Sequence, residues 1–306
     1  MTSVNTSAAH ASAVARMSDL SRQLDSVQAQ LATARRISAP ADDPVAFART
    51  AVLRREQAAS DATQRAIDAG SRRLAASDTA LEGLGNLVQR ARELALQAAN
   101  ATVSAEDRRT IGIELAELTA QARSLAETHD SDGQRLFGGT GGSGTLYGPD
   151  AGGTLVWQGG GRAPAVTINA GSVASGIEAP DIFGATDAAT GARDLFASLG
   201  VLATALAEPD PALRSAGIET GIADLDGHVS RIADARGVLG ARMDRLDSET
   251  ERLAKTKLTT ASDLARLEGL DMPEAIARLQ RLLTVLQAAQ ASFARVSGLS
   301  LWDQLR

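Results

Sequence analysis

Near the start of the chain, apolar residues recur at Ala13, Met17, Leu20, Leu24, Val27, Leu31 and Ala34, alternately four and three positions apart. Between them stand Ser18, Asp19, Arg22, Gln23, Asp25, Gln28 and Gln30. That spacing predicts a helix with one narrow a/d seam. A single-striped helix of about 25 residues is marginal alone in water, because helices in proteins draw most of their stability from packing. It needs a partner. A matching stripe closes the chain after Asp271-Met272-Pro273-Glu274, through Ile276, Leu279, Leu283, Leu286, Phe293 and Val296. The two stripes could pair with each other, or stay loose in the free subunit and order in an oligomer. Their narrow, Ala-rich faces and flanking prolines favour the second arrangement.

Between the ends, a helical pattern begins after Pro44 and runs to about Thr128, through Leu53, Ile67, Leu74, Leu81, Leu84, Val88, Leu94, Ile111, Leu115, Leu118 and Leu125. "NATVSAED" should interrupt it, because Ser104 and Asp107 form an N-terminal capping pair for a second helix. From Ser131 to Ala185 the sequence turns Gly-dense, with β-branched runs at "TLVWQ" and "AVTIN" that predict a small β-rich insert. The clearest periodicity follows. Ile218, Ile222, Leu225, Val229, Ile232, Arg236, Leu239, Met243, Leu246, Thr250, Leu253 and Lys257 keep a strict four-three spacing, which predicts a helical rod of about 60 Å. The expected fold is mainly α, an elongated bundle of long antiparallel helices built from the two ends of the chain around a β-rich insert. Its expected divisions are an N-terminal assembly helix (1–40), core helices (41–130), the insert (131–190), core helices (191–268) and a C-terminal assembly helix (269–306).

Composition narrows the reading further. Apolar residues make up 44% of the chain but aromatics only 3%, which suits long helices meeting in narrow seams better than a thick core. The net charge of -6 and scattered arginines argue against a nucleic-acid binder or a polybasic membrane anchor. No run of apolar residues is long enough for membrane insertion. With no cysteine, neither a disulfide nor a thiolate site is possible. The first residues show no Sec-type signal pattern.

Little in the chain looks catalytic. Asp42 and Asp43 are adjacent, so their carboxylates do not converge on one ligand, and no further oxygen ligand follows at regular spacing. Asp43 reads instead as an N-cap and Pro44 as the first helical residue, while Pro40 ends the preceding helix. Asp210-Pro211 repeats the device, and Asp271 with Pro273 repeats it shifted by one. Pro40, Asp43, Pro44, Asp271 and Pro273 are therefore expected to cap the core helices and hinge the terminal ones. "GGTGGSGT" lacks the Gly-Lys-Ser/Thr ending of a phosphate loop. His10, His129 and His228 have no metal-ligand spacing and are expected at the surface or an interface. Neither a metal, a cofactor nor a catalytic residue is expected, leaving as the enzyme or carbohydrate-binding alternative a stacking platform of Tyr147 and Trp157.

Three stretches together resemble the flagellin family. "RISAPADDPVAFA" is similar to the segment that ends the first terminal helix there, Asn86 to Leu118 to its core helix region, and "ARVSGLSLWDQLR" to its closing residues. Within the family, "APADDPVA", "LSLWD" and "DSDGQRLFGG" are more similar to hook-associated members at the hook-filament junction, whereas "VNTSAAHASA" is closer to filament flagellin. The resemblance implies a secreted structural subunit of the bacterial flagellum, exported by the type III route. It implies terminal helices that form an inner coiled-coil tube and self-association in a helical ring. The partners it implies are a neighbouring hook-associated protein, flagellin and a cytoplasmic export chaperone. It also implies lateral packing through Gln89, Arg90, Glu93, Leu94 and Gln97.

Overall fold

The protein is described by a computed structural model over residues 6–140, 146–149, 155–157, 162–169, 171–186 and 190–303. Its elements run α1 (Thr6–Thr33), α2 (Pro44–Ala98), α3 (Ala105–Ala126), β1 (Tyr147–Pro149), β2 (Leu155–Trp157), β3 (Ala165–Ile168), β4 (Gly171–Ala174), α4 (Ala179–Phe183), α5 (Leu195–Ala207), α6 (Pro211–Glu268) and α7 (Met272–Asp303). The chain divides into two units, Met1–Ser60 with Lys255–Arg306, and Asp61–Ala254. The helical pattern between Pro44 and Thr128 does break where Ser104 caps α3. Its hydroxyl accepts the Asp107 N–H at 3.1 Å and donates to the Asp107 carboxylate at 2.7 Å.

In the unit 61–254 the core follows the four-three seam of α6. Ile218, Leu225, Ile232, Leu239, Leu246 and Leu253 are buried among Ile67, Leu74, Leu81, Leu84 and Leu94 of α2 and Ile111, Leu115 and Leu118 of α3. Arg236 interrupts this seam without being left unpaired. Its guanidinium donates to Asp78 at 2.8 and 3.3 Å and to Glu82 at 3.4 Å, so the polar position in the seam meets acidic partners on α2.

Among the described residues, the predicted β-rich insert holds two antiparallel strand pairs, β1 with β2 and β3 with β4, the latter in the register Val166 to Val173. Beneath it the scarce aromatics are pooled. Phe183 stacks on Phe196 at 5.6 Å and takes the edges of Phe137 and Tyr147 at 6.0 and 5.7 Å. Four rings gathered in one place supply the volume that Ala and Leu seams cannot. Arg73, 7% exposed, bolts the 130–136 loop to α2 by donating to the carbonyls of Arg135 at 2.5 Å and Leu136 at 3.1 Å and pairing with Asp130. The turn in that loop needs Gly133, whose φ of 75° is costly for a residue with a Cβ.

Candidate assembly surface

Within the unit formed by the two ends of the chain, α1 packs on α7. Ala13, Met17, Leu20, Leu24 and Leu31 are half-buried and Val27 is buried, while most intervening residues stay exposed. The N-terminal stripe is therefore the face that meets α7. Terminal stripes that pair within one chain are the arrangement present, in place of the loose ends favoured from sequence.

The C-terminal stripe needs correcting, because it splits in two. The line facing α1 is Ala275, Leu279, Leu282, Leu286, Ala289 and Phe293, again alternately four and three apart and buried or half-buried. Near its end Phe293 stacks on His10 with ring centroids 4.4 Å apart. Ile276 and Leu283, expected in the same line, lie one residue beyond it and point outward, 45% and 38% exposed. One residue turns a helix by about 100°, enough to move a side chain off a narrow seam. Met272 and Val285 are also exposed, at 39% and 46%. α7 is thus apolar on two sides, only one of which α1 covers. Val296 falls within α7, but its side chain lies outside the described residues.

The joint at the base of these helices is tied rather than open. α1 is followed by Ala34, whose φ is 53°, with the Arg35 N–H reaching back to the Gln30 carbonyl at 3.2 Å. That is the Schellman geometry that usually calls for glycine. The Arg36 N–H then donates to the Glu268 carbonyl at 2.8 Å, and its guanidinium to the Leu267 carbonyl at 3.0 Å. The Glu268 carboxylate, 12% exposed, meets Arg54 at 2.7 Å and Arg35 at 3.5 Å.

The caps lie where the sequence puts them. Asp43 accepts the Ala46 N–H at 2.9 Å, Asp210 those of Ala212 and Leu213 at 2.8 and 3.0 Å, and Asp271 that of Glu274 at 3.1 Å. Pro44 opens α2, and Pro273 is the second residue of α7. Pro40 sits in a turn closed by the Asp42 N–H and the Ala39 carbonyl at 3.1 Å. Asp42 has its own structural task. One carboxylate oxygen accepts the N–H groups of Ser38 and Ala39, both at 2.9 Å, and these bonds hold its pKa below the usual carboxylate value.

Three expectations in the other unit change. Gln89, Arg90, Glu93 and Gln97 are exposed on α2, and Arg90 bridges to Glu114 of α3 at 2.7 Å and to Glu93 at 3.2 Å. Leu94, expected beside them, is 2% exposed and belongs to the core; it falls on the buried α2 line through Leu84, Val88 and Ala91. Tyr147 is 6% exposed within the aromatic cluster and offers no platform for stacking a sugar, and the side chain of Trp157 lies outside the described residues. His228 is not at the surface but 4% exposed against α5. It lies seven residues from Gly221 and Ala235 on a second buried line of α6, a signal that attention to the first seam alone misses.

Comparison with known proteins places this arrangement. The bacterial flagellin N-terminal helical region matches residues 4–141, and the bacterial flagellin C-terminal helical region matches residues 222–302. The chain belongs to the flagellin family. Its relatives include flagellar hook-associated protein 3 of Escherichia coli, 24% identical over 90% of each chain, and flagellin of Listeria monocytogenes, 23% identical over 86% of this chain and 84% of the other. Among solved structures, a flagellar hook-associated protein from Vibrio parahaemolyticus has a TM-score of 0.67 at 22% identity, covering 74% of this chain and 100% of that one. FlgL from Xanthomonas campestris has a TM-score of 0.60 at 19% identity, covering 69% and 99%. These likenesses establish a shared fold. As a member of this family the chain is a structural protein of the flagellum and not an enzyme.

Proposed function

We propose that this flagellin-family chain is a subunit of the hook-filament junction, and that the second apolar side of α7 is a surface through which it assembles. The observation that carries the proposal is the exposed line of Met272, Ile276 and Leu283 on a helix whose other apolar side is already occupied by α1. Taking this apolar line out of water favours association. Repeated around an axis, this contact gives self-association in a helical ring. A neighbouring hook-associated protein and flagellin then occupy its two ends.

Gln89, Arg90, Glu93 and Gln97 form a polar lateral contact in this reading, with Leu94 supporting it from the core. The Glu268 joint is where the paired end helices reorient on incorporation, by exchanging the Arg35 and Arg54 contacts for intersubunit ones. Export follows the flagellar type III route to the cell exterior, with a cytoplasmic chaperone masking α7 beforehand. The absence of cysteine suits a chain that travels unfolded.

Similarity to Listeria flagellin supports a second reading, in which the chain is itself a filament subunit. Seeding purified chain onto filament fragments separates the two: a junction subunit terminates growth, whereas a filament subunit extends it by many repeats.

A further inference from the structure

We propose that His228 is an acid-sensitive latch, which holds α5 and the loop before it on α6 only while the imidazole is neutral. His228 Nε2 lies 3.1 Å from Ser198 Oγ, and Ser198 Oγ is also 3.0 Å from the Asp194 carbonyl. A hydroxyl has one proton and a carbonyl can only accept. The Asp194 carbonyl also accepts the Ser198 backbone N–H at 2.9 Å, so Nδ1 decides the proton's place: giving the hydroxyl proton to Nε2 would bury an N–H at Nδ1 that faces no acceptor among the described residues, whereas giving it to Asp194 lets the ring donate from Nε2. That assigns the neutral Nε2–H tautomer and leaves Nδ1 as a bare lone pair. Nδ1 is buried with no hydrogen-bond partner among the described residues. A second proton would thus create a cation whose new N–H faces no acceptor.

The charged groups around the ring do not rescue that cation. On α6, Asp224 is engaged by Arg193 at 3.1 Å, and Arg231 adds a like charge. Arg92 of α2, which reaches this stretch of α6, is engaged by Asp226. Ahead of α5, the Asp194 carboxylate is filled by the Ala197 N–H at 2.8 Å and the Thr186 hydroxyl at 2.8 Å. From β1, Tyr147 brings a buried phenol, with its pKa pushed up by burial and by Asp194. On the remaining side Gly184 closes on the ring, since a Cβ there would lie 3.5 Å from His228 Cε1. Burial first, and then Arg231, lower the pKa of His228 against the smaller opposing pull of Asp224 and Asp194.

The sign follows from linkage. A base whose folded pKa is lowered binds more protons when unfolded or undocked. Its contribution to stability is complete above the ordinary histidine value of about 6.5 and is lost as pH falls below it, by up to about tenfold in the docking constant per pH unit. The part set free is the contact of Ser198 and Gly184 with α6.

Two measurements on the full-length chain test the latch. In NMR of 13Cε1-labelled histidine the chain has three resonances to assign, with His10→Gln and His129→Gln identifying the third. The His228 resonance should keep its neutral shift through pH 6.5 and change only as α5 detaches. Independently, His228→Gln keeps a donor for Ser198 and removes the titration. Wild type should lose stability relative to this variant between pH 7.5 and 5.5, by up to about tenfold per unit below 6.5. Ordinary titration of His228 at or above pH 6.5 with α5 still docked overturns the proposal. So do matching pH profiles for the two proteins. Should His228→Gln fail to fold, the resonance of the wild-type chain decides alone.

Discussion

Replacing Ile276 and Leu283 together by Gln separates assembly from folding. Both side chains point away from α1 and keep 45% and 38% of their surface open, so the pairing of α1 with α7 draws little on what the substitution removes. Gln is close to Leu in helix propensity and slightly better than Ile, which leaves α7 itself intact. Complete burial of such a side chain contributes about 2–3 kcal/mol, so covering the remaining fraction on assembly is worth about 1 kcal/mol at each position. For the pair the loss is about 2 kcal/mol per contact, a roughly thirtyfold weakening that multiplies around a closed ring. The assay compares thermal melting of the purified monomer with the amount of chain recovered on isolated hooks. The double variant should melt within a few degrees of wild type and be largely missing from hooks. Leu279→Gln with Leu286→Gln, on the α1-facing line, should instead lower monomer stability directly. Normal incorporation of the Ile276 and Leu283 variant would refute the assembly surface, and so would a melting loss as large as that of the Leu279 and Leu286 variant.

Glu268→Gln weakens the two arginine pairs at the joint by about 1 kcal/mol, a small figure because both arginines are half-exposed. Limited proteolysis should then cut the 34–43 and 269–271 segments earlier and together. Ala34→Gly relieves a left-handed backbone and should stabilise the end unit by about 0.5–1 kcal/mol, read as a rise in the denaturant midpoint. In the other unit, Gly70→Ala would place a Cβ 2.6 Å from Val166 Cγ2. It should destabilise by about 1–3 kcal/mol, with much of the loss recovered on adding Val166→Ala.

Much of the helical frame is legible in the sequence because one physical signal governs it. The four-three spacing along α1 and α6 appears as burial or half-burial at every position but Ala34, and Asp43, Asp210 and Asp271 cap helices because a short carboxylate beside the first turn has unpaired N–H groups to accept. The same reasoning missed Asp194, which caps α5 without a following proline to mark it. It misplaced Ile276 and Leu283 because a helix rich in Leu and Ala on two sides fits more than one four-three line, and only the position of α1 selects between them. Leu94 and His228 were misread for a related reason: a residue's neighbours in sequence say little about a second buried line seven residues apart. The Glu268 joint was invisible, since it joins residues more than 200 positions apart through arginines that look like ordinary surface charge. The aromatic cluster beneath the strand pairs was equally hidden, because Phe137, Phe183 and Phe196 come from three separate loops and helices.

The position of the chain in the flagellum is tested most directly by labelling it on isolated flagella. An antibody or tag on the chain should mark a single short band where hook meets filament. Label spread along the filament would contradict the junction assignment in favour of a filament subunit, and no label on flagella that otherwise assemble would contradict both.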